Sequence, residues 1–167
     1  MKPLFFNQAV DRKTIESLFD EKNILKYKFK YVYNGGVDSL LHLTKDEIIK
    51  YFGDLKTKIK HTSFYFCDKD KPSYVVPDIA IVNGNVPEHV DSNWGCVLIV
   101  LLKILPFYNS ETDSECDSDE AIFWTNHGFR SIQIGDVFIF DSFEPHAWFC
   151  NGNAYLFSHP LNKISHG

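Results

Sequence analysis

Arginine is nearly absent from this chain. Of 17 basic residues only Arg12 and Arg130 are arginines, so a bidentate fork for a carboxylate or phosphate has two candidates in the whole sequence. Twenty-two acidic residues leave a net charge of −5, which excludes a broad basic footprint and makes double-stranded nucleic acid an unexpected partner. Cysteine is also sparse. The four, at positions 67, 96, 116 and 150, form no Cys-x-x-Cys pair, so neither a thiolate zinc site nor a redox couple is expected. With no signal-like amino terminus, a reducing, cytoplasmic compartment is the expectation. The longest apolar run, Cys96 to Leu102, is far too short to span a bilayer, so no membrane partner is expected.

What remains is an ordinary globular composition with one excess. The 167 residues are 44% hydrophobic and 23% charged, which suits one domain with its own core. Aromatic residues reach 16%, led by 15 Phe and 8 Tyr, and such residues favour strands.

The chain divides into a mixed amino-terminal buttress, residues 1–60, and a strand-rich core, residues 61–161. Asp11 to Lys22 reads as a helix capped by Asp11, with Ile15, Leu18 and Phe19 on one face. A second helix starts after Thr44, where Thr44 and Glu47 match a capping box, and stops at Gly53. Lys26 to Tyr33 alternates Lys with aromatics and reads as a half-exposed strand before the turn Asn34-Gly35-Gly36. Short apolar or alternating runs follow at 63–67, 74–76, 79–82, 95–104, 121–124, 131–134, 137–140, 147–150 and 154–157. Helices first and many short strands afterwards predict an α+β, mainly β fold with a sandwich, jelly-roll or barrel core. The acid-rich stretch 109–120 lacks the glycine and terminal glutamate of an EF-hand and reads as a surface loop.

Chemistry concentrates in two places. In Val86-Pro87-Glu88-His89-Val90-Asp91, His89 and Asp91 stand two residues apart, so in extended backbone their side chains leave the same face. By itself His-x-Asp is a common pair that also occurs as surface decoration at a strand end. In Gly135-Asp136-Val137-Phe138-Ile139-Phe140-Asp141, a turn leads into an apolar strand. A polar corner and Pro145 follow, and His146 then opens another strand, where it is either an inward ligand or a half-buried histidine beside Trp148. Two histidines and one carboxylate with open positions suit non-haem Fe(II), and zinc accepts the same donors.

Taken together, His89-Val90-Asp91, the following apolar strand and the Gly135-to-His146 segment resemble the double-stranded β-helix core of the Fe(II)/2-oxoglutarate-dependent oxygenases, over roughly residues 74–161. The resemblance implies a jelly roll with His89, Asp91 and His146 as metal ligands and no catalytic side chain beyond them. It also implies Fe(II) and 2-oxoglutarate as cofactors, and hydroxylation or demethylation of a small molecule or protein side chain.

One part departs from that pattern. Many members carry an arginine or lysine on the last core strand, often with a serine two residues later; in Ala154-Tyr155-Leu156-Phe157-Ser158 the serine is present and Leu156 takes the place of the base. The cations left to hold the distal carboxylate of 2-oxoglutarate are Arg130 and Lys103, each of which also reads as solvent-facing. Asn93 and Trp148 are candidates for the pocket wall. Two other readings stand beside the oxygenase: a cupin-like metal protein that does not use 2-oxoglutarate, and a non-catalytic β-barrel in which His89 and Asp91 are incidental.

Overall fold

The long strands bury residues of both parities, so each must be covered on two sides. In the computed structural model, which describes residues 2–27, 36–59, 64–66, 78–91, 95–109, 114–115 and 120–163, helices cover one side and a second sheet the other. In chain order the elements are β1 (Leu4–Phe6), α1 (Arg12–Lys22), a 3-10 turn (Ile24–Tyr27), β2 (Gly36–Leu41), α2 (Lys45–Phe52), α3 (Leu55–Lys58), β3 (Phe64–Phe66), β4 (Ile79–Asn83), β5 (Val86–His89), β6 (Cys96–Pro106), β7 (Tyr108–Asn109), β8 (Ser114–Glu115), β9 (Glu120–Thr125), β10 (Gly128–Gln133), β11 (Val137–Asp141), β12 (His146–Phe149) and β13 (Gly152–Lys163). The major sheet runs β1-β11-β6-β13-β4-β2, with β3 paired to β13; the minor sheet runs β10-β9-β12-β5. Pairing in both is antiparallel.

Alternation sorts the major sheet into two cores. Ile79, Ile81, Leu98, Val100, Val137, Ile139, Tyr155 and Phe157 pack against Leu18 and Phe19 of α1 and Phe52 of α2. Their neighbours Val82, Val97, Ile99, Leu101, Phe138, Phe140, Ala154 and Leu156 face the minor sheet and meet Phe123, Ile132 and Trp148. The two helices begin as their sequences require. Asp11 accepts a hydrogen bond from Thr14 N at 2.8 Å, and Thr44 and Glu47 complete a reciprocal capping box. Among the described residues no helix is long and apolar enough to cross a membrane.

Several local expectations change. Lys26 and Tyr27, expected at the start of a strand, lie in the 3-10 turn, because Asn23 ends α1 in the left-handed conformation (φ 50°) and its carbonyl accepts Lys26 N at 3.4 Å. The rest of that expected strand, residues 28–33, lies outside the described residues, as do Asn34 and Gly35 of the turn and the run 74–76. Gly36, read as part of a turn, instead opens β2 opposite Asn83. The buttress therefore contributes two edge strands, β1 and β2, as well as helices. Of the acidic stretch, Asn109 pairs with Ser114 next to Tyr108 and Glu115, while 110–113 and 116–119 lie outside the described residues.

The β6–β13 ladder carries an irregularity that matters later. Tyr155 lies opposite Lys103, whereas Leu156 lies opposite Leu101, so β6 holds one extra residue there. A bulge of this kind reverses the parity beyond it. Leu101 and Ile104 both face the minor sheet, and Leu102 and Lys103 both border a cleft against α1.

Candidate metal centre

His89 ends β5 and His146 begins β12, and the ladder pairs them directly. Their ring centroids are 4.3 Å apart. Asp91 follows two residues after His89 and is held by its own backbone, with Asp91 N donating to Ser142 O at 2.9 Å. The three side chains meet: one ligand atom from each of His89, Asp91 and His146 lies within 4.8 Å of the others. His146 is buried, at 6% exposure, and the other two are half-buried at the opening.

The hydrogen bonds around the rings fix which atoms converge. His89 Nδ1 is 2.8 Å from Pro87 O, and His146 Nδ1 is 2.8 Å from Glu144 O. A carbonyl can only accept, so both Nδ1 atoms must donate, and in the neutral ring each Nε2 then carries a lone pair. Those lone pairs point at the carboxylate. His146 Nε2 stands 3.3 Å from Asp91 Oδ2 and His89 Nε2 stands 3.5 Å from Asp91 Oδ1. Two nitrogen lone pairs around a carboxylate repel unless positive charge lies between them, and ring orientation by backbone carbonyls is the usual support of histidine ligands. The donor set fits a first-row divalent cation, Fe(II) included.

A chamber of about 140 Å³ adjoins the two imidazoles. Its floor is the inward face of the major sheet, Ala80, Val82, Ile99, Phe138, Leu156 and Ser158, and its walls include Phe123, Phe140 and Trp148. Among the described lining residues, Ser158 and Trp148 carry the neutral polar groups apart from the imidazoles. Trp148 is buried and its Nε1 finds no hydrogen-bond partner among the described residues. Asn93 lies outside the described residues.

Neither cation named from the sequence borders this chamber. Lys103, which strict alternation from Leu101 would turn inward, is carried by the bulge to the helix side, where it shares a cleft with Arg12, Glu16 and Asp20. Arg130 has inward parity opposite Phe123, but it sits on the edge strand β10. Its guanidinium stacks over Phe5 at 4.4 Å and its Nη2 donates to Asn7 Oδ1 at 3.4 Å, so it closes the open edge between the sheets. Sequence reasoning missed most of the apolar floor. Its signal was the period-two parity shared by Ala80 and Val82 and by Phe138 and Phe140.

No family model matches the sequence, and no curated protein matches it. Solved structures do. A prolyl-4-hydroxylase from Pseudomonas putida superposes with a TM-score of 0.53 at 10% identity, covering 98% of this chain and 93% of that one. The viral collagen prolyl hydroxylase of Paramecium Bursaria Chlorella virus-1 superposes with a TM-score of 0.50 at 11% identity, covering 99% and 91%. The chain therefore shares the fold of these two prolyl hydroxylases, a double-stranded β-helix, as the resemblance implied.

Proposed function

We propose that the protein is a non-haem Fe(II) oxygenase that couples decarboxylation of a 2-oxo acid to hydroxylation or demethylation of a second substrate, a small molecule or a protein side chain. The observation that carries this reading is the facing of two carbonyl-oriented imidazoles and one carboxylate beside an apolar-lined chamber. The likeness of fold to two prolyl hydroxylases supports it.

When bound, the metal would bring dioxygen and a chelating acid together and relay electrons from the acid to the oxygen. Within the chain, His89, Asp91 and His146 would hold it from one side, leaving the chamber side for the other partners. Apolar walls exclude water and so limit side reactions of an oxidising centre. The balance is simple. The bond between C1 and C2 of the 2-oxo acid breaks, one oxygen atom enters the shortened carboxylate as carbon dioxide leaves, and the other enters the substrate C–H bond as hydroxyl.

A cupin-like metal protein without 2-oxoglutarate is the second reading, favoured by the lack of a cation among the described residues lining the chamber. Anaerobic titration of the purified protein separates the two. Fe(II) with 2-oxoglutarate or another 2-oxo acid should give a visible charge-transfer band that disappears in His89→Ala and His146→Ala. Stoichiometric metal uptake with no band for any 2-oxo acid would select the cupin-like reading. Unchanged metal content in both alanine variants would leave only a non-catalytic barrel.

A further inference from the structure

The chamber's lining constrains what the chelating acid carries behind its head. A buried carboxylate needs a positive partner, because an isolated ionised group in an apolar interior costs far more than neutral hydrogen bonds return. The chamber offers none among its described lining residues. Of the chain's two arginines, Arg12 borders the cleft at α1, and Arg130 stacks on Phe5 and donates to Asn7. Lys103 is on the far face of the sheet by virtue of the bulge. At the point on β13 where a side chain reaches the chamber floor next to Ser158, the residue is Leu156, 8% exposed. Ser158 and Trp148 can each satisfy one acceptor, yet neither carries charge.

We propose that this chamber receives the uncharged branched-aliphatic or aromatic tail of a chelating 2-oxo acid, so that the cosubstrate is an apolar 2-oxo monoacid and not a dicarboxylic one. The inference rests on the metal reading above. Charge on the acid's head is balanced at the metal, and the tail meets apolar side chains that include Ala80, Val82, Ile99, Phe138 and Leu156. Size agrees. An engineered apolar cavity of about 150 Å³ stays dry and takes up benzene, so a space of about 140 Å³ suits an isobutyl or benzyl group.

The test is binding, read by calorimetry and by thermal shift on full-length protein loaded with Mn(II) in the absence of turnover. Metal uptake is measured first, without acid. The metal-loaded protein is then titrated with 4-methyl-2-oxopentanoate, phenylpyruvate and 2-oxoglutarate. The expected result is at least tenfold tighter binding of one or both apolar acids than of 2-oxoglutarate, with the preference reversed in Leu156→Arg. Equal or tighter binding of 2-oxoglutarate to the wild type overturns the inference and leaves the oxygenase reading standing. Metal uptake with no binding of any of the three acids overturns it in favour of the cupin-like reading. Absence of metal uptake overturns both. The wild-type ratio decides the matter even if Leu156→Arg fails to fold.

Discussion

His89 and His146 face each other across the β5–β12 ladder, each with Nδ1 bonded to the carbonyl two residues before it. The repetition of that local bond at both positions aims both Nε2 atoms at Asp91, that of His89 at Oδ1 and that of His146 at Oδ2. With neither a proton nor a metal ion between them, these groups repel; with a metal ion, they become a preorganised ligand set that loses little entropy on binding.

Asp91→Asn tests that balance. With both imidazoles neutral, an amide N–H facing a histidine lone pair replaces repulsion by a hydrogen bond worth about 1 kcal/mol, so the metal-free variant should then melt about 2–4 °C above metal-free wild type. Wild type at a metal concentration 100 times Kd should gain about 2.7 kcal/mol, or about 5–10 °C, and the variant should lose most of that gain. Differential scanning calorimetry with and without chelator measures both quantities. A metal-free variant less stable than wild type would contradict the lone-pair assignment.

Arg130→Ala and Lys103→Ala separate the chain's other cations from the chamber. Loss of the stack over Phe5 should cost about 0.5–1 kcal/mol, and removal of Lys103 should stay within about 0.5 kcal/mol. Neither change should alter the affinity of the metal-loaded protein for a 2-oxo acid by more than about twofold. A tenfold loss in either variant would show that the side chain swings into the chamber when ligand is present.

The reasons these two residues lie away from the chamber differ. The meeting of His89, Asp91 and His146 was legible because a two-residue spacing sets a common face, and a turn before a strand places His146 at its edge. Leu156 and Ser158 were legible by the same alternation. Lys103 was not, since the bulge that reverses it is a mismatch between β6 and β13 and is written in neither strand alone. Arg130 follows the right parity but lies on an edge strand, and edge position depends on the order of strands in the sheet. Strands β1 and β2 were missed because three to six residues without strong alternation become strands only when a neighbouring edge accepts them.

Phe138 joins the two sheets and should be the costliest single truncation near the chamber. Its ring centroid lies 4.6 Å from Phe123, 5.9 Å from Phe140 and 6.2 Å from both Phe5 and Trp148. Phe138→Ala should destabilise the fold by about 3–5 kcal/mol, on the order of 10 °C, through lost burial and the void left behind. Phe149→Ala, on the exposed face of β12, should cost less than about 1 kcal/mol. Chemical denaturation gives both values, and similar costs at the two positions would mean that the sheets are not packed through Phe138.

Acid sensitivity of the buttress should be traceable to Glu47. Its carboxylate accepts from Lys22 Nζ at 2.6 Å and from Thr44 N at 2.9 Å, tying α2 to α1 and closing the capping box. The lysine bond, followed by the backbone bond, lowers the carboxyl from its usual 4.5 to about 2. Because the folded value lies below the unfolded one, the stabilisation is complete above about pH 4.5 and is lost as the pH falls towards 2. Glu47→Gln keeps a side chain able to cap and removes only the charge. Both partners are partly exposed, so solvent screening limits the cost at pH 7 to about 1 kcal/mol. The stability gap between wild type and Glu47→Gln should narrow between pH 4.5 and 2, and Lys22→Met should remove most of that pH dependence. A gap that stays constant across this window would show that the lysine bond makes no net contribution in solution.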